Sequence, residues 1–437
     1  MVIFLRYFGS LVLIFAVVCV CIAEMQSTPS TILEIPAAAR SSASFDVKTV
    51  TDAWLASVSF DKKARSDVYF EGGYWLLLWN FLLSAAILIL LLTTRWSARI
   101  REWTERVTAR KNLQTLLYFM PFLLITTVLQ FPLAVYQGYF REHHYGLSNQ
   151  TFAAWLRDQL VGLGVVAVLG GIGIVVLFAI VRRLGKNWWV WGAVASVIFL
   201  TIAALIAPVY IAPLFNTYKK LENARIKDPI LSMARANGIP ATDVYEVDES
   251  RQSKRVSANV SGFLGTERIS LNDNLLNQCT LEEIETTMGH ELGHYVLHHI
   301  YKDILFFGIV FLAGFAFLNW SLNRTLARWG QQWGIRGVTD VAVLPLAVLL
   351  LSFFFFLTTP IENTWTRTQE YEADIFGLDA ARQPDGEAAV DLKLGDYRKL
   401  DPSPIEEFIF FDHPSGRTRI TAAMCWKKEN LELETRK

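Results

Sequence analysis

Residues Gly289 to His298 read GHELGHYVLH, and within them His290, Glu291 and His294 spell H-E-x-x-H. On a helix, positions i and i+4 share one face a single turn apart, so two imidazoles converge on one ion. The carboxylate between them points beside that ion, where a water sits. Zinc held by two histidines with an open position lowers the pKa of its bound water toward about 7 and polarises a carbonyl. Glu291 is then placed to take the proton of that water and pass it to a leaving amine, which is the chemistry of peptide hydrolysis. The bland alternative is an amphipathic surface helix that happens to carry two histidines. With 7 histidines in 437 residues, chance produces this pentamer in such a chain about one time in a hundred or less.

Composition sets the environment of that stretch. Hydrophobic residues make up 52% of the chain and charged residues 19%, with a mean hydropathy of +0.30. The apolar residues come in blocks, the mark of a polytopic helical membrane protein. Lys and Arg balance Asp and Glu at 41 each, which gives no sign of nucleic-acid binding. The four cysteines include no C-x-x-C pair, so neither a disulfide framework nor a cysteine zinc site is indicated.

Working outward, residues 1–23 read either as a secretory signal peptide or as a first membrane span. Residues 24–70 are polar and mixed, and are expected to form an exposed extramembrane segment. Apolar blocks then run Tyr74–Leu92, Leu113–Val135, Leu160–Val181 and Trp188–Ile211, which places membrane spans two to five within 71–211. Residues 212–303 turn soluble in character, with helical spacing over Leu221–Asn237 and Leu281–His299. Strand-like alternation falls at Val244–Val247, Ala258–Leu264 and Arg268–Leu271. Two further blocks, Ile304–Trp320 and Val341–Leu357, supply spans six and seven within 304–357, and 358–437 is polar and helical in pieces. Gln130, Asn80 and Arg157 lie in or beside the apolar blocks, where polar groups face a cavity rather than lipid. The short loops after Leu92, Val181 and Trp320 are basic. By the positive-inside rule this puts 212–303 and the C-terminal part on the side away from the cytoplasm.

A catalytic zinc needs a third protein ligand. Beyond the last two apolar blocks stands RTQEYEAD, Arg367 to Asp374. Glu370 and Asp374 are i and i+4, so one helix face carries both: Glu370 to bind zinc, and Asp374 to accept a hydrogen bond from the far nitrogen of a ligand histidine. Glu372 faces elsewhere. Read on spacing alone, the stretch is equally an ordinary solvated acidic helix. His298 is about 12 Å along the helix axis from His290, too far to share its ion, and neither His298 nor His299 is given a metal role.

With these residues in view, the chain resembles the type I CAAX prenyl proteases, integral-membrane zinc metalloproteases that combine HExxH with a distant E-x-x-x-D. Ser253-Lys254-Arg255 followed by Ser257-Ala258-Asn259 is similar to a family stretch, as are Ile211 to Phe215, Tyr145 to Phe152, and His413-Pro414-Ser415 with Arg419-Ile420. The resemblance runs from about Tyr69 to Ala423. It implies about seven tilted helices enclosing a water-filled chamber, capped by a small α+β zinc protease domain whose last part is 358–437. It implies one Zn2+ per chain on His290, His294 and Glu370, with Glu291 as general base and Asp374 behind the ligands. His413 would donate to the oxyanion. Ala258, Asn259 and the strand to Gly262 would bind substrate by strand addition. Arg419 would hold the site together or meet a substrate carboxylate.

The expected partners are a peptide or protein substrate, lipid-modified or not, and a lipid bilayer of the bacterial inner membrane or endoplasmic-reticulum type. Trimming of prenylated peptides is the activity the family implies, with membrane-protein quality control as a second reading. The rival from another class is a transporter or channel with a structural zinc site, which has no need of Glu291. The family's catalytic region faces the cytosol, opposite to what the loop charges here indicate.

Overall fold

The computed structural model describes residues 33–40, 45–261 and 268–435, so segment 1–23 lies outside the described residues. Among the described residues, five helical runs are long and apolar enough to cross a membrane: Phe60–Thr93, Lys111–His144, Phe152–Leu214, His299–Trp333 and Val341–Ala381. The third run has 63 residues, far more than the 20 or so that span the hydrocarbon. It reverses at Gly185, whose φ of +53° suits glycine, and its two arms pack on each other. In chain order the elements are α1 (Val47–Ala56), α2 (Phe60–Thr93), a short α3 (Trp96–Val107), α4 (Lys111–Val135), α5 (Phe152–Leu184) and α6 (Trp188–Ile206). After the sheet domain come α9 (His299–Thr325) and α10 (Leu344–Ala381). Each of the expected apolar blocks falls on one of α2, α4, α5, α6, α9 and α10. The expected count of seven rests on residues 1–23.

Three boundaries differ from the sequence reading. Helix α2 starts at Phe60, capped by the Ser59 hydroxyl, so it stands well above its apolar block. Helix α10 continues through Pro360 to Ala381, so the last span and the stretch bearing Glu370 form one rod. The segment 24–70, expected to be exposed, is partly buried. Helix α1 sinks Val50, Thr51, Trp54 and Leu55 into a cluster with Leu378, Leu392, Ile420 and Met424. Those positions follow helical spacing, but the polar residues between them hide it from a composition average.

The sheet domain carries β1 (Tyr218–Lys220), α7 (Ala224–Ala236), β2 (Val244–Val247), β3 (Ala258–Ser261), β4 (Arg268–Asn272) and α8 (Leu281–Val296). Strand order is β1-β2-β4-β3, with β2 and β4 parallel and the outer pairs antiparallel. Ile230, Val244, Ile269, Leu271, Ile284, Met288 and Leu292 fill the space between the sheet, α7 and α8. Helices α11 (Pro384–Leu394), α12 (Pro404–Phe410) and α13 (Gly416–Thr435) complete the chain. The bundle's own core lies at its far end, where Leu91, Leu92, Tyr118, Phe122, Phe315 and Leu322 meet.

Helices α8 and α10 cross in near-backbone contact. A Cβ on Gly377 would stand 2.8 Å from the His290 amide nitrogen, and one on Gly289 would stand 2.9 Å from the Gly377 carbonyl oxygen. On Gly293 it would meet the Ala373 Cα at 3.2 Å. Small residues one turn apart on both rods therefore set their separation. Gly377→Ala is expected to force the rods apart, to cost about 1–3 kcal/mol of stability, and to weaken zinc binding. Thermal unfolding and a zinc titration check this. Gly162→Ala, where a Cβ would meet nothing within 4 Å, serves as the neutral comparison.

Candidate metal centre and active site

Helix α8 is held in place before any metal is considered. Thr280 and Glu283 cap its start reciprocally. Lys393 of α11 reaches Glu283 at 2.6 Å, and the Thr286 hydroxyl donates to Glu387 of α11 at 2.6 Å. The helix ends where His298 takes a left-handed φ of +58°, and α9 descends from that break. The H-E-x-x-H face is thus presented at the mouth of the bundle, against the upper part of α10.

There the ligating atoms of His290, His294 and Glu370 all lie within 4.8 Å of one another. His290 Nε2 and His294 Nε2 are 3.1 Å apart. Glu370 Oε2 is 3.2 Å from His290 Nε2, and Oε1 is 3.7 Å from His294 Nε2. Ligand atoms around one tetrahedral zinc at about 2.0–2.2 Å stand about 3.3–3.5 Å from each other, so the donor set fits such an ion. The histidines' outer nitrogens are taken. His290 Nδ1 meets Asp374 Oδ1 at 2.7 Å, and His294 Nδ1 meets His299 Nδ1 at 2.8 Å. Both Nε2 atoms are left to face inward with their lone pairs. Glu291 shares this mouth. Burial pushes its carboxyl above the usual carboxylate range, against the pull of the His290 and His294 imidazoles.

The other expected residues divide. His413 is brought in, with Nε2 3.3 Å from Glu370 Oε2 and Nδ1 3.0 Å from Asp412 Oδ1. Ala258 and Asn259 lie on β3, which is a sheet edge and packs against α8. Ala258 turns toward the domain core, and Asn259 is exposed. Arg419 is not at the substrate face. It is buried behind Asp374, with Nε 2.9 Å from Asp374 Oδ2 and Nη1 2.8 Å from Asp391 Oδ1. Of its two expected roles, the substrate contact gives way to the structural one, because its guanidinium is already spent on buried carboxylates. Removing one partner of such a pair costs about 3–5 kcal/mol. Glu387 also approaches Arg419, at 3.2 Å. Burial pushes Asp391 well above the ordinary carboxylate range. Arg419 opposes that shift, and the Glu387 and Asp374 carboxylates add to it.

Sequence reading gave neither His299 nor Glu372 a place behind the ligands. His299 is buried, and its Nε2 reaches Glu372 Oε2 at 3.2 Å, itself held by Lys302 at 2.6 Å. His299 therefore stands behind His294 as Asp374 stands behind His290. Spacing alone gave no signal, because the left-handed turn at His298 is what swings His299 back over His294. Deeper down, Asp303 of α9 accepts from Trp365 and Gln369 of α10 and locks the two rods below the site.

Known proteins resemble this chain in sequence and fold. Residues 220–427 match the profile of peptidase family M48, and residues 48–217 that of the CAAX prenyl protease N-terminal region, five membrane helices. The chain is 33% identical over 348 residues to the uncharacterized metalloprotease YhfN of Bacillus subtilis, covering 79% of this chain and 80% of that one. It is 26% identical over 324 residues to CAAX prenyl protease 1 of Saccharomyces cerevisiae, covering 70% and 71%. The crystal structure of S. mikatae Ste24p has the same fold, with a TM-score of 0.72 at 20% identity, covering 84% of this chain and 90% of that one.

Two outcomes follow from the residues behind the ligands. Removing the His299 imidazole strips His294 Nδ1 of its acceptor. His299→Ala is therefore expected to lower zinc affinity about 10–100-fold in a chelator competition, with His299→Gln restoring part of it. Asp391 favours its neutral form in the folded state, so its ionisation costs stability as pH rises above its ordinary value of about 3.9. Asp391→Asn carries no such cost. Whatever fixed cost the lost Arg419 contact adds, its melting temperature relative to the native chain is expected to rise from about pH 4 toward about pH 8, and a difference that stays constant with pH contradicts this.

Proposed function

The chain belongs to peptidase family M48 as a multi-pass membrane metalloprotease of the CAAX prenyl protease type, and from that premise we propose that it cleaves extended, membrane-associated peptides at a zinc ion held by His290, His294 and Glu370. The convergence of those three ligating groups at the mouth of the bundle carries this reading. Zinc bound there supplies a Lewis acid for the scissile carbonyl and acidifies a water.

The chain's own groups do the rest. Glu291 accepts the proton of the attacking water and returns it to the leaving amine. His413, steadied through Nδ1 by Asp412 at 3.0 Å, presents Nε2 to the developing oxyanion. Along β3 the outer edge has no strand neighbour among the described residues. A substrate in extended form adds there, and Asn259 contacts its backbone near the cut. Asp374 and Arg419 fix His290, and His299 fixes His294. In this reading residues 212–303 and 358–437 are two halves of one protease domain joined across α9 and α10, and the spans below enclose a chamber. Polar pairs within the spans, such as Asn80 with Gln137 at 3.0 Å, fit walls that face water.

Relatives named CAAX prenyl protease 1 support prenylated carboxyl-terminal peptides as one substrate class. Membrane-protein quality control uses the same site without a lipid requirement. A structural zinc in a transporter leaves Glu291 without a task.

Glu291→Gln is expected to keep one zinc per chain and to lose at least about 100-fold in peptide cleavage, whereas His294→Ala loses the metal itself. Metal analysis beside a fluorogenic peptide assay separates the two. Normal cleavage by Glu291→Gln would end the proposal.

A further inference from the structure

Helix α10 carries one carboxylate that the mechanism does not use. From residue 341 to 366, which takes in its apolar block and the turns above it, Glu362 is the single charged residue. The polar side chains around it are committed to neighbouring elements. Asn363 Nδ2 donates to the Ile409 carbonyl at 2.8 Å, Trp365 Nε1 to Asp303 at 2.9 Å, and Arg367 to the Glu407 and Phe411 carbonyls at 2.8 and 2.6 Å. Glu362 has the Thr358 hydroxyl, one turn below on its own helix, at 2.7 Å. No cation pairs with it among the described residues. A half-buried carboxylate in a membrane helix is costly without a charge partner, and such groups mark the paths of substrates or ions.

The helix sets the direction of that side chain. Positions four apart lie on one helical face. Glu362, Thr366 and Glu370 therefore form a single file, with the zinc ligand at its top. Leu357 and Ile361, 59% and 57% exposed, mark the lipid side, and Glu362 lies about 100–140° round the helix from them. Helix α2 is polar at the same depth: Phe81 stacks on Phe356 of α10, and Asn80 beside it donates to Gln137 at 3.0 Å. From Glu362 to Glu370 the helix rises about 12 Å. An extended peptide advances about 3.3 Å per residue, so it covers that distance in about three or four residues.

We propose that Glu362 is the acidic end of a substrate subsite, which pairs with a lysine or arginine side chain about three or four residues from the scissile bond, on the arm of the peptide that runs down α10. The subsite rests on the protease reading of the zinc site. The substrate's cation supplies the partner that the fold does not provide. Half-buried among apolar turns, the carboxylate is less screened than one at the surface, so a cation gains more from pairing there. An acidic side chain at the same substrate position meets like charge and is rejected. A neutral one leaves Glu362 with Thr358 alone, so the subsite grades peptides by charge while the zinc site cuts them.

The test uses the full chain in lipid nanodiscs and neutral, dye-labelled peptides in which one position at a time carries lysine, norleucine or glutamate. Cleavage by the native chain is located by mass spectrometry, and binding to the zinc-loaded Glu291→Gln chain is followed by fluorescence anisotropy. Ratios between peptides are read within each variant, so a general loss of stability cancels. Lysine is expected to be preferred over norleucine at least about tenfold, in binding and in kcat/KM, at one position about three or four residues from the cut. Glu362→Gln is expected to bring that ratio to within about twofold of unity, Glu362→Asp to keep part of it, and Glu362→Lys to turn the preference toward the glutamate peptide. The absence of any such position, or a lysine preference that survives in Glu362→Gln, overturns the inference and leaves the protease reading standing wherever cleavage continues. Binding that shows the preference without any cleavage sinks the protease reading and leaves the subsite.

Discussion

The structure depends on how closely two helices are allowed to approach. Helix α8 brings two imidazoles, and α10 brings the carboxylate that completes their set. The rods approach through Gly289, Gly293, Ala373 and Gly377, closely enough that a Cβ on Gly289 or Gly377 would meet the other rod's backbone within 3.0 Å. One methyl group at that crossing would move Glu370 away from both histidines. Helix α10 also runs without a break from its apolar block to the site. The membrane bundle therefore carries the third ligand directly, and the packing of α9 and α10 below the site determines where Glu370 stands.

Behind the three ligating groups lies a second layer that differs for the two histidines. His290 leans on Asp374, a carboxylate fixed by Arg419, which Asp391 and Glu387 also approach. His294 leans on a neutral imidazole, His299, whose charge partner Glu372 is one step further out and shared with Lys302. An anionic acceptor makes an imidazole a stronger donor to metal than a neutral one does. His290 is thus the firmer of the two, and His294 the one closer to the open side. The arginine hub also ties α13 to α10 and α11, so α13 serves the centre although only His413, just before it, approaches the zinc ligands.

Much of this was readable in the sequence where it depends on local spacing. H-E-x-x-H and E-x-x-x-D each fix residues on one helix face, and the apolar blocks each became a helix. Alternation at Val244–Val247 and Arg268–Leu271 matches strands at Val244–Val247 and Arg268–Asn272. What depends on tertiary contact was not readable. Gly377 is a glycine within a helix until α8 is laid across it. Nothing in the spacing of His294 and His299 signals a contact between them, which the left-handed turn at His298 allows. Arg419 could by its sequence hold the site together or meet a substrate carboxylate, and its burial against Asp374 and Asp391 favours the first. Helix α1 was hidden because its apolar stripe is diluted by polar neighbours in a region of mixed composition.

The central claim is that residues from both sides of the two last apolar helices hold one zinc. Anomalous diffraction from crystals of the full chain, recorded on either side of the zinc absorption edge, tests it most directly. The account predicts one peak per chain, within bonding distance of His290 Nε2, His294 Nε2 and a Glu370 carboxylate oxygen, and none at His299. A metal bound by His294 and His299 together, or a zinc-loaded chain in which Glu370 lies beyond bonding distance, would contradict it.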